Sequence, residues 1–248
     1  MAKIFITGSA DGLGLLAAQS LVNQGHQVVL HARNATRAAV AMAKVPGAAK
    51  TLVADLSSID ATKQLANELN AMGRFDAIIH NAGIYNVQKQ ALTDDGIPLL
   101  FAVNSLAPYI LTAAVNRPKR LVYLTSGMHR QGGTGLANMN FSYSDTKLHD
   151  VILCMSVARK WTGVYSNAVN PGWVPTKMGG AGAPDSLEEG FQTQVWLAVS
   201  EDEAAKVTGR YFHHKKEQPF LPEAGKPAVQ EKFLAFCEKV SGLQFPAT

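Results

Sequence analysis

The 248-residue chain contains 47% hydrophobic and 17% charged residues, a balance that is typical of globular proteins and excludes a disordered chain. Its net charge is +4, but the basic residues are scattered, so we expect no nucleic-acid partner. The two cysteines, Cys154 and Cys237, lie far apart, which argues against a disulfide framework. No apolar run reaches the roughly 18 residues of a membrane span, and the N-terminus lacks the pattern of a secretory signal, so we expect a cytoplasmic protein.

Short β-rich runs alternate with helical segments along the chain. The predicted strands are residues 3–7, 27–32, 50–54, 75–80, 120–125, 163–169 and 209–212. The predicted helices are residues 12–24, 36–44, 58–71, 97–116, 143–161 and 227–240. Several strands are apolar throughout, as in parallel strands that helices cover on both faces. The alternation predicts an α/β fold with a doubly wound parallel sheet.

No linker or repeat divides the sequence, so we expect a single domain over residues 1–248. Motifs typical of cofactor binding fall mainly in residues 1–125, and candidate catalytic and substrate residues fall mainly in 126–248. Two long Gly-containing stretches without periodicity, 127–141 and 173–188, are predicted loops, and long loops in compact domains are often functional.

A glycine-rich segment, Thr-Gly-Ser-Ala-Asp-Gly-Leu-Gly, joins the first strand to the first helix at residues 7–14. Its glycines allow the backbone to approach a dinucleotide pyrophosphate, and the helix N-terminus favours the phosphates. An ordinary turn is the alternative, although the position after strand one favours binding. The segment supplies six candidate contacts: Gly8, Ser9, Asp11, Gly12, Leu13 and Gly14.

This glycine spacing resembles that of the short-chain dehydrogenase/reductase family. The resemblance implies a Rossmann-type fold, with an Asp after the third strand that holds the adenine and an Asn-Ala-Gly after the fourth. Asp55, followed by Leu56, stands at the first position. Asn81, Ala82 and Gly83 stand at the second. A helix-capping region and a plain turn are the respective alternatives.

The end of the second strand bears on which dinucleotide binds. An acid there binds the ribose 2′-hydroxyl of NAD, whereas an Arg accommodates the 2′-phosphate of NADP. Arg33 and Asn34 follow the strand and no acid is present, so we predict that NADP(H) is preferred, with NAD(H) still possible. A solvated Arg33 is the alternative. Asp11 argues against the preference, because many NADP-preferring relatives carry a basic residue in the glycine-rich loop.

Tyr143 and Lys147 are four residues apart and share one face of a predicted helix. Hydride addition to a carbonyl leaves an alkoxide that needs a proton, and a phenol with a pKa near 10 exchanges one poorly at neutral pH unless a neighbouring ammonium lowers that pKa. The family resemblance gives Lys147 this role, together with a hydrogen bond to the nicotinamide ribose. A solvated Lys and a packed Tyr are the alternative.

Two further residues complete the pattern of a catalytic tetrad. Ser126 follows the fifth strand, where ligands of open α/β sheets bind, and it can hydrogen-bond the substrate oxygen. Asn104 is a polar residue within an apolar helix, and the resemblance gives it a water-linked proton relay with Lys147. A loop or capping Ser and a structural Asn are the alternatives. The segment after the sixth strand implies further cofactor contacts at Pro171, Gly172, Val174 and Thr176.

The resemblance spans residues 7 to about 243 and is strongest to the retinol-dehydrogenase-like branch. Two features depart from the commonest pattern: His80 replaces an Asn before Asn81, and Ser126 and Tyr143 are seventeen positions apart. We expect a carbonyl or alcohol substrate, with a lipophilic one favoured if apolar loop residues line the site. The candidates are Met128, His129, Met139, Phe141, Trp173 and Met178, and ordinary loop packing is the alternative.

Together these residues predict an NADP(H)-dependent oxidoreductase that uses Tyr143 as general acid/base. The alternative function is a catalytically silent dinucleotide-binding redox sensor, which usually lacks the Tyr or the Lys. The histidines lack a metal-ligand spacing, so no metal is expected. The resemblance further implies a homodimer or homotetramer that pairs helices 97–116 and 143–161 across an interface.

Overall fold

A computed structural model describes residues 1–85 and 91–247 as a mixed sheet covered by helices. The strands are β1 Lys3–Ile6, β2 Gln27–Ala32, β3 Lys50–Val53, β4 Ala77–His80, β5 Arg120–Leu124, β6 Tyr165–Asn170, β7 Arg210–His213 and β8 Lys216–Gln218. The helices are α1 Gly12–Asn23, α2 Ala35–Lys44, α3 Ile59–Ala71, α4 Leu99–Phe101, α5 Ala107–Ala114, α6 Tyr143–Lys160, α7 Leu187–Val199 and α8 Pro227–Ser241. The predicted α/β architecture is confirmed.

The strands lie in the order β3-β2-β1-β4-β5-β6-β7-β8. β2 and β3 are added on one side of β1, and the later strands, from β4 onwards, are added on its other side, so the order of addition reverses between β1 and β4. All pairs are parallel except β7 with β8. Because successive side chains of a strand point to opposite faces, Ile4 and Ile6 enter one core while Phe5 enters the other. Helices α1, α2 and α7 cover the first face, and α3, α5, α6 and α8 cover the second. The reversal opens a crevice at the carboxyl ends of β1 and β4, where doubly wound sheets bind ligands.

Three elements differ from the sequence prediction. The predicted helix 97–116 is three pieces, because a π-helical turn at Ala102–Leu106 separates α4 from α5. Helix α7 was not among the predicted helices. Close packing requires its Gly190, because a Cβ there would lie 2.7 Å from Val174 Cγ1. Strand β8 was also missed, because its three residues are all exposed and show no alternation.

Helix α6 is buried along most of its length. A capping box between Ser142 and Asp145 starts the helix, and α8 packs against it from the side away from the sheet. All of residues 146–157 are buried within this one chain. Capping places Tyr143 in the first turn, and burial fixes the direction in which its side chain projects.

Arg120 links the sheet to the end of α7. Its guanidinium is 9% exposed and donates hydrogen bonds to Leu197 O at 3.1 Å and Ser200 O at 2.8 Å. These are carbonyls at the C-terminus of a helix, where the backbone lacks internal donors and the dipole favours a cation. The arginine therefore anchors α7 beneath the crevice.

We expect Arg120→Met to lower the free energy of unfolding by about 1–3 kcal/mol, because buried carbonyls lose charged donors. Urea denaturation measures the change. Arg210→Ala is the matched control, since Arg210 forms only a half-exposed pair with Glu217 and its loss should cost about 0.5 kcal/mol or less. Equal losses in the two variants would contradict the anchoring role of Arg120.

Candidate active site

A cleft of about 600 Å³ opens where the sheet order reverses. It brings together candidate residues from both halves of the chain. Those that line it are Gly8, Asp11, Gly12, Leu13, Arg33, Asp55, Leu56, Asn81, Ala82, Gly83, Tyr143, Lys147, Pro171 and Thr176. The glycine-rich loop therefore lies in the same cavity as the Tyr-Lys pair.

The floor of the cleft is a tight junction between the ends of β1 and β4. Asn81 Nδ2 donates hydrogen bonds to Thr7 O at 2.9 Å and Gly8 O at 3.2 Å. Gly8 has a φ of +64°, and a Cβ there would lie 2.8 Å from Ala82 Cα. Gly14 packs against the Asn81 side chain so closely that an added Cβ would collide with the amide. Gly14 and Asn81 thus shape the floor by packing against each other.

A buried histidine supports the glycine-rich loop from behind. His31 Nδ1 accepts a hydrogen bond from Gly8 N at 3.0 Å, and the opposite nitrogen, Nε2, lies 3.0 Å from Ala54 O. These partners fix the neutral tautomer that carries its proton on Nε2. Ser9 is also turned inward, since its Oγ donates to Ile6 O and accepts from His31 N. Ser9 is fully buried and its own N–H donates to His31 O at 3.2 Å, so neither of its donors faces the cleft.

Charged side chains surround the mouth of the cleft near β2. Asp11 caps α1 through Gly12 N and pairs with Lys177 at 2.5 Å and with Arg37 at 3.7 Å. The hydrogen bond from Lys177 holds the pKa of Asp11 below its usual value, despite some opposing desolvation. Arg33 is exposed and lines the cleft. Its neighbour Asn34 instead caps α2, where its side chain accepts from Arg37 N.

Asp55 stands at the edge of the cleft after β3. Its Oδ1 accepts hydrogen bonds from Ser57 N at 3.0 Å and Ser57 Oγ at 2.7 Å. Ser58, rather than Asp55, caps α3. The second carboxylate oxygen of Asp55 has no such local bond among the described residues, and the buried Leu56 lies beside it.

The Tyr143 phenol lies at the inner end of the cleft beside Ser126. The Lys147 ammonium is 5.7 Å from the Tyr143 ring centroid, and Tyr85 packs edge-on against the same ring at 4.6 Å. Burial raises the pKa of Tyr143 above its ordinary value, while Lys147 and a hydrogen bond with Ser126 act in the opposite direction. Desolvation therefore outweighs the nearby cation. Tyr85 was missed at the sequence level because it belongs to no motif.

Lys147 is almost completely enclosed. Its Nζ donates to Leu124 O at 2.8 Å and to Asp150 Oδ2 at 2.9 Å. Burial lowers the pKa of Lys147, but Asp150 and Tyr143 outweigh that effect and hold it above its usual value. The sequence motif did not indicate Asp150, although the spacing of three residues along a helix was a usable signal.

Asn104 lies in the π-helical turn, and both N–H groups of its amide are hydrogen-bonded. Its Oδ1 accepts from Ile84 N at 2.8 Å, and its Nδ2 donates to Ile84 O at 2.9 Å and Thr146 Oγ1 at 3.1 Å. These bonds tie the segment after β4 to α6. The side chain matches the structural alternative for this residue, and π-helical turns are frequent at functional sites.

The segment after β6 bounds the remaining side of the cleft. Pro171 and Thr176 line the cavity. Gly172 has a φ of +87° and packs against Asp185, and the side chain of Val174 is buried beneath the segment, against Gly190. The loop is thus held from below, with its outer residues facing the cleft.

Comparison with known proteins identifies the family. The model of the short chain dehydrogenase family matches residues 2–186. An oxidoreductase of Emericella nidulans is 46% identical over 253 residues, covering 99% of each chain. The chain belongs to the short-chain dehydrogenase/reductase family. Short-chain dehydrogenase chyC of Penicillium rubens is 43% identical and covers 100% of both chains.

More distant matches agree with this dehydrogenase assignment. Human retinol dehydrogenase 14 is 28% identical, covering 97% of this chain and 86% of its own, so the predicted branch resemblance is confirmed. A solved structure from Mycobacterium paratuberculosis shares the fold with a TM-score of 0.84 at 23% identity, covering 99% of this chain and 95% of that one. The chain is therefore an NAD(P)-dependent oxidoreductase of the short-chain type.

Half of the apolar loop residues proposed to line the dehydrogenase's substrate site lie elsewhere. Phe141 packs in the core against Phe101 and Phe236, and Met139 packs against the same core. His129 is fully buried, bonding Ser126 O and Leu221 N. The prediction is wrong for these three, because the loop 127–141 folds back onto α6 and the C-terminal segment.

The other three of these candidates are solvent-accessible. Met178 lines the cleft and is 43% exposed. Trp173 is exposed and donates to Gly179 O at 2.8 Å, and Met128 is partly exposed, its backbone N–H donating to Ser126 Oγ.

Within residues 1–85 and 91–247, no group of acidic, His or Cys side chains could hold a metal ion. Across the same residues, no helix is long and apolar enough to cross a membrane.

We expect acid to weaken the folded state through His31. Burial lowers its pKa to about 4, below the 6.5 of an unfolded His, so the stabilisation is complete above pH 6.5 and is lost as pH falls towards 4. The loss is on the order of 3 kcal/mol for this residue. Urea unfolding between pH 7.5 and 4.5 should show a smaller pH slope for His31→Gln than for the parent, and an unchanged slope would contradict the assignment.

Proposed function

We propose that the protein is an NADP(H)-dependent reductase that transfers hydride between the nicotinamide and a carbonyl or alcohol substrate. The observation that carries this proposal is the single cleft that holds the glycine-rich loop, Arg33, Tyr143 and Lys147. A dinucleotide fits there, because the small residues Gly8 and Ala82 leave the floor of the cleft open to a ligand. The space beside Gly12 is also open: its φ is +55°, and an added Cβ would have only Thr176 within 4 Å among the described residues. When bound, the cofactor supplies or accepts the hydride.

Each residue of the tetrad has a distinct task in this proposal. Ser126 orients the substrate oxygen, and Tyr143 donates a proton to the alkoxide that forms when the carbonyl is reduced. The Lys147 ammonium places a positive charge near the phenol and directs one of its N–H donors towards the cleft. Asn104 supports the proton relay by fixing the π-helical turn against α6, and the second lone pair of its Oδ1 can accept from a water.

The raised pKa of Tyr143 favours its action as an acid. A phenol that stays protonated at neutral pH is ready to neutralise an alkoxide, whereas alcohol oxidation needs the phenolate. Because burial is the largest cause of the shift, exclusion of water by substrate reinforces it. The proposal therefore expects carbonyl reduction to persist well above neutral pH.

The preference for NADP(H) rests on Arg33. The side chain lies free at the mouth of the cleft, and no acid follows β2 to receive a ribose hydroxyl. Asp11 already engages Arg37 and Lys177, which leaves Arg33 as the natural partner of a 2′-phosphate. A structure of the same fold, a blue fluorescent protein from a metagenomic library, is described in complex with NADPH, which supports the proposal.

We expect Arg33→Ala to raise the KM for NADPH roughly 10- to 100-fold, the effect of losing a charged hydrogen bond. The KM for NADH should change little, because that ribose carries no 2′-phosphate. Lys216→Ala, which removes a cation from the exposed strand β8, is the control and should leave both values unchanged. A parallel rise for both dinucleotides would refute the assignment of Arg33 to the phosphate.

We expect Tyr143→Phe to reduce turnover roughly 100-fold or more, the usual contribution of a general acid, while NADPH binding persists. Single-turnover oxidation of NADPH against aldehydes, ketones and quinones measures the chemistry, and fluorescence titration measures binding. Tyr165→Phe is the matched control, since that ring lies beside Arg120 at the first residue of β6, away from the carboxyl ends of the strands where the cleft opens. Binding without turnover, equal in the parent and in Tyr143→Phe, would favour the silent redox sensor.

The cleft also supports a lipophilic substrate. Met178 lines the cleft and is 43% exposed, and Tyr85, which is 41% exposed, packs against the Tyr143 ring. Ile84, Leu99 and Val103 add apolar lining. Bulky carbonyl compounds therefore suit the site better than small charged acids.

We further propose a cytoplasmic homodimer or homotetramer, as the resemblance implies. Within the chain α8 packs against α6, which argues against pairing α6 across a subunit interface. Light scattering measures the assembly, and a monomer would contradict this proposal.

A further inference from the structure

Asp150 is a buried carboxylate that the proposed chemistry does not use. It lies one helical turn beyond Lys147, and the side chains of the pair are 4% and 5% exposed, respectively. Removing a carboxylate from water is costly, so a side chain at this depth needs a compensating partner. Burial raises its pKa to about 6, while the charge and hydrogen bond of Lys147 act in the opposite direction and favour the ionised form.

The donors of Lys147 explain what the pair does to the site. An ammonium has three N–H groups, and Leu124 O and Asp150 Oδ2 receive two of them. The third N–H direction of the ammonium is open beside Gly83. A side chain at that position would crowd it, because an added Cβ would lie 3.4 Å from Nζ. Asp150 therefore fixes the Lys147 side chain with one donor left for the cleft.

No other cation is near enough to balance Asp150 among the groups described around it. The titratable side chains that sense its charge are Tyr143, Tyr123 and Cys154. Behind Tyr123 lies His80, which stacks on that ring at 4.8 Å and is kept neutral because burial lowers its pKa to about 3. Lys147 is thus the counter-charge that Asp150 has on this side of the sheet.

This arrangement changes the field at Tyr143. A lone buried ammonium would strongly favour loss of the phenol proton, since charges interact strongly at low dielectric. The carboxylate 2.9 Å from Nζ cancels much of that effect, so Tyr143 faces an ion pair rather than a free cation. The same carboxylate keeps Lys147 from losing its own proton.

We propose that Asp150 is a positioning residue that keeps Lys147 protonated and raises the pH at which Tyr143 changes from proton donor to proton acceptor. The inference rests on the proposed roles of Tyr143 and Lys147. During reduction the hydride that forms the new C–H bond at the carbonyl carbon would come from a C–H bond of the reduced dinucleotide, the π pair passes to oxygen, and the Tyr143 O–H bond breaks as its proton joins that oxygen. Solvent then returns a proton to the phenolate. Asp150 sets the pH range over which this donor is available.

The test compares pH profiles of kcat/KM for Asp150→Asn and the parent in both directions. Asn keeps the shape and an acceptor for Lys147 but removes the charge. We expect the alkaline limb of reduction and the acid limb of oxidation to move together to lower pH, by roughly one pH unit. They must move together because the equilibrium constant of the reaction does not depend on the enzyme.

Two variants act as controls. Asp145→Asn removes a partly exposed carboxylate from the first turn of the same helix and should leave both limbs in place, although it loses the capping box. Asp150→Glu keeps the charge and should restore the parent profile. If Asp150→Asn lowers only the melting temperature and leaves the limbs unmoved, the residue is merely structural and the inference fails.

An ultraviolet titration of the Tyr143 phenolate, taken as the difference between the parent and Tyr143→Phe, needs no variant at position 150. We expect the phenolate to form above about pH 10, the ordinary value for tyrosine; formation well below that value overturns the inference. Activity retained in Tyr143→Phe would instead overturn the proposed function. The two failures are therefore distinguishable.

Discussion

The parallel pairing of β1, β4 and β5 determines where every polar group of the cleft lies. Because these strands run side by side in one direction, the turns that follow them meet at one edge of the sheet. The Asn81 amide then bonds the end of β1, while Leu124 O at the end of β5 receives Lys147. The cofactor loop and the catalytic helix are thus attached to β1 and β5, the two strands that flank β4.

Burial, more than pairwise charge, governs the chemistry of the site. It is the first cause of the shifts at Tyr143 and His31, and it makes a compensating carboxylate necessary beside Lys147. A buried polar group is stabilised by each hydrogen-bond partner, and a buried polar group without a partner destabilises the folded state. The site therefore works as a connected network in which the neutral His31 and the ionised Asp150 matter as much as the motif residues.

The sequence predicts the fold and most of the cleft because both follow from local signals. Apolar runs mark buried strands, and the glycine-rich loop, Asn81 and Tyr143 stand at the ends of those elements. The sequence does not predict contacts that depend on tertiary packing. The support from His31 requires the register of β2 against β3, the burial of Phe141 requires the C-terminal segment, and the enclosure of Asp150 requires that α6 be covered on all sides. The close packing of Gly190 on Val174 likewise joins residues that are distant in sequence.

The position of α8 has a consequence for how the protein is made. Residues 227–241 leave the ribosome after every strand of the sheet, yet they cover the helix that carries Tyr143, Lys147 and Asp150. Until they arrive, the ion pair on that helix has a path to water and the apolar side chains beside it are uncovered. A nascent chain can therefore assemble its dinucleotide cleft early, but acquires the dry surroundings of its proton donor only at the end of synthesis.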